Sequence, residues 1–501
     1  MDPINPNDRL DRRRAGVLLH LTSLPGAGPN GDLGWEAFNF VNFLADCGVS
    51  VWQMLPVGPP QANDSPYQCS SAHAGSPLLI GLEPLVQAGW LDAASGDRSG
   101  TDTAGAEVHA QARLQALAEA HQGFHRRAGD ADHSALEAFI AEQGYWLDDY
   151  ALYRALREER DAPWWDWPKG LRIRESRAMS QARKRLASAL DYIRWEQFVF
   201  FRQWEALHAH AAERGVLLFG DMPIFVAHDS AEVWANPHDF DLNADGTARV
   251  VAGVPPDYFS DTGQRWGNPL YRWDRLAAND YRFWIDRIRT QLQLFDIIRI
   301  DHFRGFEAYW EIPADEPTAI NGTWVPAGGD ALFQRLEEAF GRLPLVAEDL
   351  GVITDAVTAL RRKYRMPGMK ILQFAFDGGA DNPYLPFRHG RDAVVYTGTH
   401  DNDTTLGWYQ SLGEAERAHL DDYLGHPQEP MPWPLVRCAL GSSANLAVLP
   451  MQDLLGLDGT HRMNVPGKAE GNWRWRFDWA QLDPELPTRL RHLVALYGRT
   501  G

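Results

Sequence analysis

Residues 295–305, FDIIRIDHFRG, set an apolar β-branched stretch against ionisable side chains: Ile297, Ile298 and Ile300 lead into Asp301 and His302, with Arg299 two positions before the acid. On a strand, positions i and i+2 share a face, so a guanidinium at 299 can hold a carboxylate at 301 charged and oriented. Such a carboxylate suits a nucleophile or a metal ligand. Alone, the motif is equally consistent with a buried ion pair at a strand end. Three further apolar runs end the same way: VLLFGDMPI in Asp221, LPLVAEDLG in Glu348 and Asp349, and AVVYTGTHDNDTT in His400 and Asp401. Burying an unpaired charge is costly, so several such ends converging at one rim indicate a site.

Two chemistries use clusters of this kind. Carboxylates with His302 and His400 suit a metal centre, although the chain has neither an HxH on its first strand nor an HExxH. Glycoside chemistry uses two carboxylates about 5 Å apart, one the nucleophile and one the acid/base of a retaining double displacement. Arg299 beside Asp301 favours the second, because a nucleophile must be ionised while its partner keeps a raised pKa. Glu348 and Asp349 are adjacent, so on a strand they face opposite ways and only one can enter the site.

The elements that carry these acids repeat. Residues 15–21 (AGVLLHL) form a strand candidate, TSLPGAGPNGDLG a Gly/Pro-rich loop, residues 35–47 an amphipathic helix stopping at Gly48, and residues 49–57 a second strand. Residues 83–215 break the rhythm, being charged, alanine-rich and helical in period, and their final helix, 191–214, stops at Gly215. Strands resume at 216–224, at the FDIIRI run, and at 343–348, 368–374, 393–399 and 445–450, with helices at 280–294, 330–340, 354–364 and 414–424. Residues 225–279 read as a long irregular stretch. Eight strand candidates, most followed by a helix, predict an α/β fold: a (β/α)8 TIM barrel with inserted, largely helical subdomains. A doubly wound sheet would usually carry GxGxxG after its first strand, which is absent. After 450 come only the loop RMNVPGKAEGNWRWRF and a helix at 485–497, too little for a C-terminal β-sandwich domain.

Composition excludes several partners. With 48 basic against 67 acidic residues the net charge is -19, which repels nucleic acid and anionic membranes. The N-terminus has no apolar export signal and no later stretch is long and apolar enough to span a bilayer, so a cytoplasmic protein is expected. Cys47, Cys69 and Cys438 are odd in number and widely spaced, which suits packing in a reducing compartment. Twenty tryptophans supply faces for stacking on sugars, as well as core.

The set DIIRIDHFRG, VAEDLG and TGTHDNDTT, together with GVPPDYFSDTGQRWGNPLY at 253–271, closely resembles the 4-α-glucanotransferases of glycoside hydrolase family 77. LLHLTSLPG, SPYQ, GDMPIFVAHDS, PGMKILQFAF and RMNVPG extend the likeness nearly end to end. The resemblance implies one catalytic barrel domain over 1–501, a helical insertion at 83–215, an active-site loop insertion at 225–279, and no β-sandwich. It implies Asp301 as nucleophile, Glu348 as general acid/base and Asp401 as transition-state stabiliser. Arg299 then orients the nucleophile, His302 and His400 contact the sugar at the cleavage point, and Asp221 gives support. Asp257, Tyr258, Phe259, Gln264, Trp266 and Asn268 fall in the loop the family folds over the glucan, and Ser65 and Tyr67 in another substrate-contacting turn. The expected partners are α-1,4-glucans, with glucose or another glucan as acceptor, and neither a metal nor a cofactor is expected. Ser76 and Met366 depart from common family residues, away from these positions.

Rival readings are an α-amylase-type hydrolase and a non-catalytic glucan-binding protein. Trp164, Trp165 and Trp167 are expected to pack the helical insertion rather than bind sugar, and His228 and Asp229 to be loop hydrogen-bond partners. Trp473 and Trp475 either bind sugar or, as favoured, tie the tail to the barrel.

Overall fold

The computed structural model describes residues 9–26, 28, 30–93, 106–256, 260–468 and 470–500. Its strands are β1 (Arg14–Leu18), β2 (Val51–Gln53), β3 (Leu217–Met222), β4 (Val250–Val254), β5 (Gln264–Pro269), β6 (Ile297–Ile300), β7 (Ala308–Pro313), β8 (Thr323–Pro326), β9 (Leu345–Ala347), β10 (Gly368–Ile371), β11 (Ala393–Tyr396) and β12 (Leu446–Pro450). Eight of them, β1, β2, β3, β6, β9, β10, β11 and β12, close in that order into a parallel barrel, each overlapping one of the eight expected runs.

The period of two along a strand sorts the side chains. Leu18, Val51, Phe219, Ile297, Val346, Met369, Val394, Tyr396 and Val448 form one apolar cluster in the lumen. The alternate positions, among them Leu218, Ile298, Ala347, Val395 and Ala447, join the larger cluster packed against the surrounding helices. Followed toward the C-terminal rim, the inward rows change character: Phe219 is succeeded by Asp221, Ile297 by Arg299 and Asp301, and Val346 by Glu348. The barrel is apolar below and ionisable at one end.

Below, the tail closes the floor. Arg499 is fully buried, and its guanidinium donates to the carbonyls of Leu440 (2.7 Å), Ser442 (2.8 Å), Ala444 (2.9 Å), Arg14 (3.0 Å) and Asn445 (3.1 Å), joining the starts of β1 and β12. Arg499→Ala strands these acceptors, and a loss of about 3 kcal/mol is expected as a lower denaturant midpoint. An unchanged midpoint would rule the clasp out.

Between β2 and β3 lies the helical insertion, whose last helix, Ala187–Glu213, begins a turn earlier than its sequence pattern suggests and ends where Gly215 takes a φ of +73°. Part of the alanine-rich stretch, residues 94–105, is outside the described residues. Trp164 and Trp167 are buried; Trp164 Nε1 donates to the His228 carbonyl at 2.8 Å, and Trp165 lies flat on the His228 ring with centroids 4.0 Å apart. The cluster therefore packs the insertion onto the loop after β3. Asp229 accepts from Tyr153 Oη at 2.7 Å and Arg157 Nε at 2.8 Å in the same contact.

The irregular reading of 225–279 is corrected by the structure. β4 and β5 lie there, and with β7 and β8 they form an antiparallel sheet in the order β5-β4-β7-β8. One inserted element is thus a sheet rather than helix or loop. The pairing that makes it, Val251 opposite Ile312 and Gly253 opposite Trp310, reaches across β6, so no local pattern announces it. Among the described residues no helix is long and apolar enough to cross a membrane.

Candidate active site

Register brings the acids together. Asp221 of β3 is the direct partner of Arg299 of β6, and Ile300 is the partner of Ala347 of β9, so the next residues, Asp301 and Glu348, emerge side by side. The ladder continues past them, with Glu348 N–H donating to the Ile300 carbonyl (3.0 Å) and Phe303 N–H to the Glu348 carbonyl (3.1 Å). Neighbouring strands lie about 4.8 Å apart, the scale of carboxylate separation that retaining glycoside chemistry uses.

Arg299 divides its charge between two acids. Its Nη1 lies 2.8 and 2.6 Å from the Asp221 oxygens and its Nη2 2.9 Å from Asp301 Oδ1. Asp221 and Arg299 are enclosed, whereas the Asp301 side chain keeps 30% of its surface open. Asp221 and Arg299 thus form a buried ion pair between neighbouring strands, and Asp301, which the motif set beside Arg299, is its solvent-facing end. Burial pushes the Asp221 carboxyl up, and the guanidinium on its oxygens pulls it back.

Glu348 has a different environment. Its Oε2 accepts from the His302 N–H at 2.8 Å and its Oε1 from the Leu350 N–H at 3.1 Å. Burial, opposed by Arg299 and reinforced by the Asp301 charge, pushes its carboxyl up to about 8. Asp349 faces away, as strand alternation requires: Oδ1 accepts from Met369 N–H (2.8 Å) and Oδ2 pairs with Arg361 (3.1 Å). A Cβ at Gly368 would come within 2.4 Å of that carboxylate, so this approach needs glycine. Two acids one residue apart are therefore sorted into one facing the site and one holding the wall.

A relay of polar contacts spans the rim. Tyr67 Oη donates to Asp221 Oδ2 at 2.7 Å and lies 2.9 Å from His400 Nε2. The phenol has one proton, given to Asp221, so His400 is the donor in the second contact. His400 Nε2 is also 3.3 Å from Asp401 Oδ2, and Asn464 Nδ2 donates to Asp401 Oδ1 at 2.6 Å. From Asp401 through His400, Tyr67, Asp221 and Arg299 to Asp301 the contacts are continuous.

His302 occupies left-handed backbone (φ +50°), uncommon for a non-glycine residue, which turns its N–H toward Glu348. Burial pushes its imidazole down to about 4, so it is neutral near pH 7. Its ring meets Trp266 edge-on at 4.8 Å, and its buried Nε2 has no hydrogen-bond partner among the described residues. A buried polar atom without a partner is well suited to a ligand hydroxyl.

The family profile described as 4-alpha-glucanotransferase matches residues 19–482. The chain belongs to the 4-alpha-glucanotransferase family. It is 51% identical to the 4-alpha-glucanotransferase of Thermus thermophilus over 493 residues, covering 96% of this chain and 98% of that relative. It is 48% identical to the 4-alpha-glucanotransferase of a Synechocystis strain over 498 residues, covering 98% and 99%. Among solved structures, the amylomaltase from Streptococcus agalactiae in complex with acarbose superposes with a TM-score of 0.94 at 35% identity, covering 97% of this chain and all of that one.

Within this 4-alpha-glucanotransferase fold, the residues read from sequence divide by position. Asp221, Arg299, Asp301, His302, Glu348, His400, Asp401 and Tyr67 meet at the rim through the contacts above. Ser65 supports the turn, its Oγ accepting from Tyr67 N–H at 3.3 Å. Trp266 reaches His302, and Gln264 Oε1 accepts from Trp266 Nε1 at 3.1 Å. Asn268 is buried and engaged within the fold, donating to the Val226 carbonyl at 2.9 Å and accepting from Gln68 at 3.3 Å, so it anchors β5. Asp257, Tyr258 and Phe259 lie outside the described residues. One rim residue escaped the sequence reading and a second was assigned mainly elsewhere. Asn464 holds Asp401, and Trp473, read mainly as a tie for the tail, stands 5.9 Å from Tyr67 and 6.1 Å from His400 by ring centroids. The flanking Arg474 and Arg476 do tie the tail, to Asp64 and to the Leu24 carbonyl. The available signal was RMNVPG, whose asparagine precedes a turn beyond the last strand.

Proposed function

We propose that Asp301, Glu348 and Asp401 carry out 4-α-glucanotransfer by a retaining double displacement on α-1,4-glucans, with glucose or another glucan as acceptor. The observation that carries this reading is the pair of neighbouring carboxylates in different surroundings, Asp301 salt-bridged to Arg299 and Glu348 buried with its carboxyl pushed up to about 8. Asp301 attacks the anomeric carbon while Glu348 gives its proton to the departing 4-oxygen, so the glycosidic bond breaks as the ester bond forms. Esterification removes the Asp301 charge, one cause of the raised Glu348 pKa, and so makes proton loss from Glu348 easier. Glu348 is then ionised and takes the proton of the incoming 4-hydroxyl as that oxygen displaces Asp301. The product keeps the α configuration. Asp401, held by Asn464 and open to the groove, stabilises positive charge on the distorted ring.

His302 and Trp266 are offered to the sugar, and Asp257, Tyr258 and Phe259 are assigned to the cover over it. The chain acts as one catalytic barrel domain with insertions at 83–215 and 225–279, and its three free cysteines suit the cytoplasm. Incubation with maltotriose tests the activity: glucose together with chains longer than maltotriose is expected, whereas only shorter sugars would make the protein a hydrolase.

The raised Glu348 pKa predicts two pH effects. In kcat/KM the basic limb falls near pH 8 as the acid ionises. For stability, a carboxyl whose folded pKa exceeds its unfolded value binds more protons when folded, so stability declines as pH rises from about 4.5 to about 8. Glu348→Gln is expected to flatten that decline in thermal midpoint; an unaltered slope would assign it to another group.

A further inference from the structure

Three residues that the transfer chemistry does not use converge in the helical insertion. His121 and His125 are four apart on the helix Ala106–Arg127 and so share a face. Asp191, near the start of Ala187–Glu213, meets them: its Oδ2 is 3.1 Å from His121 Nε2 and 2.9 Å from His125 Nε2, and the two Nε2 atoms are 3.0 Å apart. The three atoms make a nearly equilateral triangle.

Protons do not satisfy this triangle. A neutral imidazole nitrogen either donates or accepts. If both Nε2 atoms donate to Asp191, two N–H groups confront each other at 3.0 Å; if one donates to the other, the acceptor has no proton for the carboxylate. A cation resolves the conflict by drawing all three lone pairs to one point. Tetrahedral zinc with bonds of about 2.0–2.1 Å needs ligand edges of about 3.3 Å, so each edge has to open by only about 0.3 Å. Two imidazoles and one carboxylate select a borderline transition ion over calcium or magnesium.

The surroundings hold the donors in place. Gly123 lies between the two histidines in sequence, and a Cβ there would stand 1.7 Å from the Trp90 carbonyl oxygen, so the helix presses onto that segment only because 123 is glycine. Arg127 Nη2 donates to the same carbonyl at 2.8 Å. The His121 ring packs edge-on to Tyr192 (5.4 Å) and lies 5.2 Å from Trp195, both on the Asp191 helix. His125 and Asp191 are half exposed, which leaves a way in for the ion and room for a water ligand.

We propose that His121, His125 and Asp191 form a binding site for a zinc-class divalent ion that staples the helix Ala106–Arg127 to the helix Ala187–Glu213. The site serves the insertion and not the transfer reaction. The test uses the full chain stripped with a chelator and then titrated with Zn²⁺ alone, with Co²⁺ as a spectroscopic substitute. One Zn²⁺ per chain is expected, with a tetrahedral Co²⁺ spectrum and a higher thermal midpoint. Loss of an outer-shell partner already costs about 10–100-fold in affinity, so Asp191→Asn and His125→Ala are each expected to weaken binding by about 100-fold or more. Both alter half-exposed side chains, and transferase activity equal to the parent's in chelator shows that they fold. No stoichiometric Zn²⁺ binding by the parent, or binding that survives both substitutions, overturns the site.

Discussion

Asp301→Asn is expected to lower glucan transfer by about four orders of magnitude or more while leaving maltooligosaccharide binding within a few-fold of the parent. The substitution keeps the shape of the side chain and an oxygen for Arg299 Nη2, now 2.9 Å from Oδ1, but removes the anion proposed to form the ester bond. Steady-state transfer from maltotriose gives the first quantity and calorimetric titration at equilibrium the second. Turnover within about tenfold of the parent would remove Asp301 from the nucleophile role. Equal losses of binding and turnover would make it a binding residue.

Glu348→Gln is expected to lower transfer from maltotriose by about three orders of magnitude, with a loss that depends on the leaving group. A donor such as α-maltosyl fluoride departs without a proton, so its formation of the glycosyl-enzyme should be nearly restored. The second half-reaction still lacks a base, and azide, which attacks without losing a proton, should then release the α-glycosyl azide. Glutamine preserves the acceptor for the His302 N–H at 2.8 Å, so the turn beyond Asp301 is retained. Equal impairment with both donors, or no response to azide, would show that Glu348 is not the proton carrier.

The eight barrel strands are legible as apolar runs, four of them stopping at ionisable residues, and the i, i+2 rule sets Arg299 beside Asp301. Alternation likewise separated Glu348 from Asp349, since facing is a local property of a strand. The Asp221–Arg299 register, the Tyr67–His400 contact and the hold of Asn464 on Asp401 were not legible as contacts, because each joins segments far apart in the chain. The β4–β7 pairing was hidden for the same reason, and more deeply, since Gly253 interrupts β4 and Pro313 ends β7.

β4 and β5 precede β6, and β7 and β8 follow it, yet the four share one sheet, with Ala252 opposite Glu311 and Gly253 opposite Trp310. The two segments form a single cassette in recombination. Grafting one from a relative sets it against foreign partners beside Asp301 and His302, whereas exchanging both carries the register with them. Loop swaps meant to change which glucans are accepted have to move the pair.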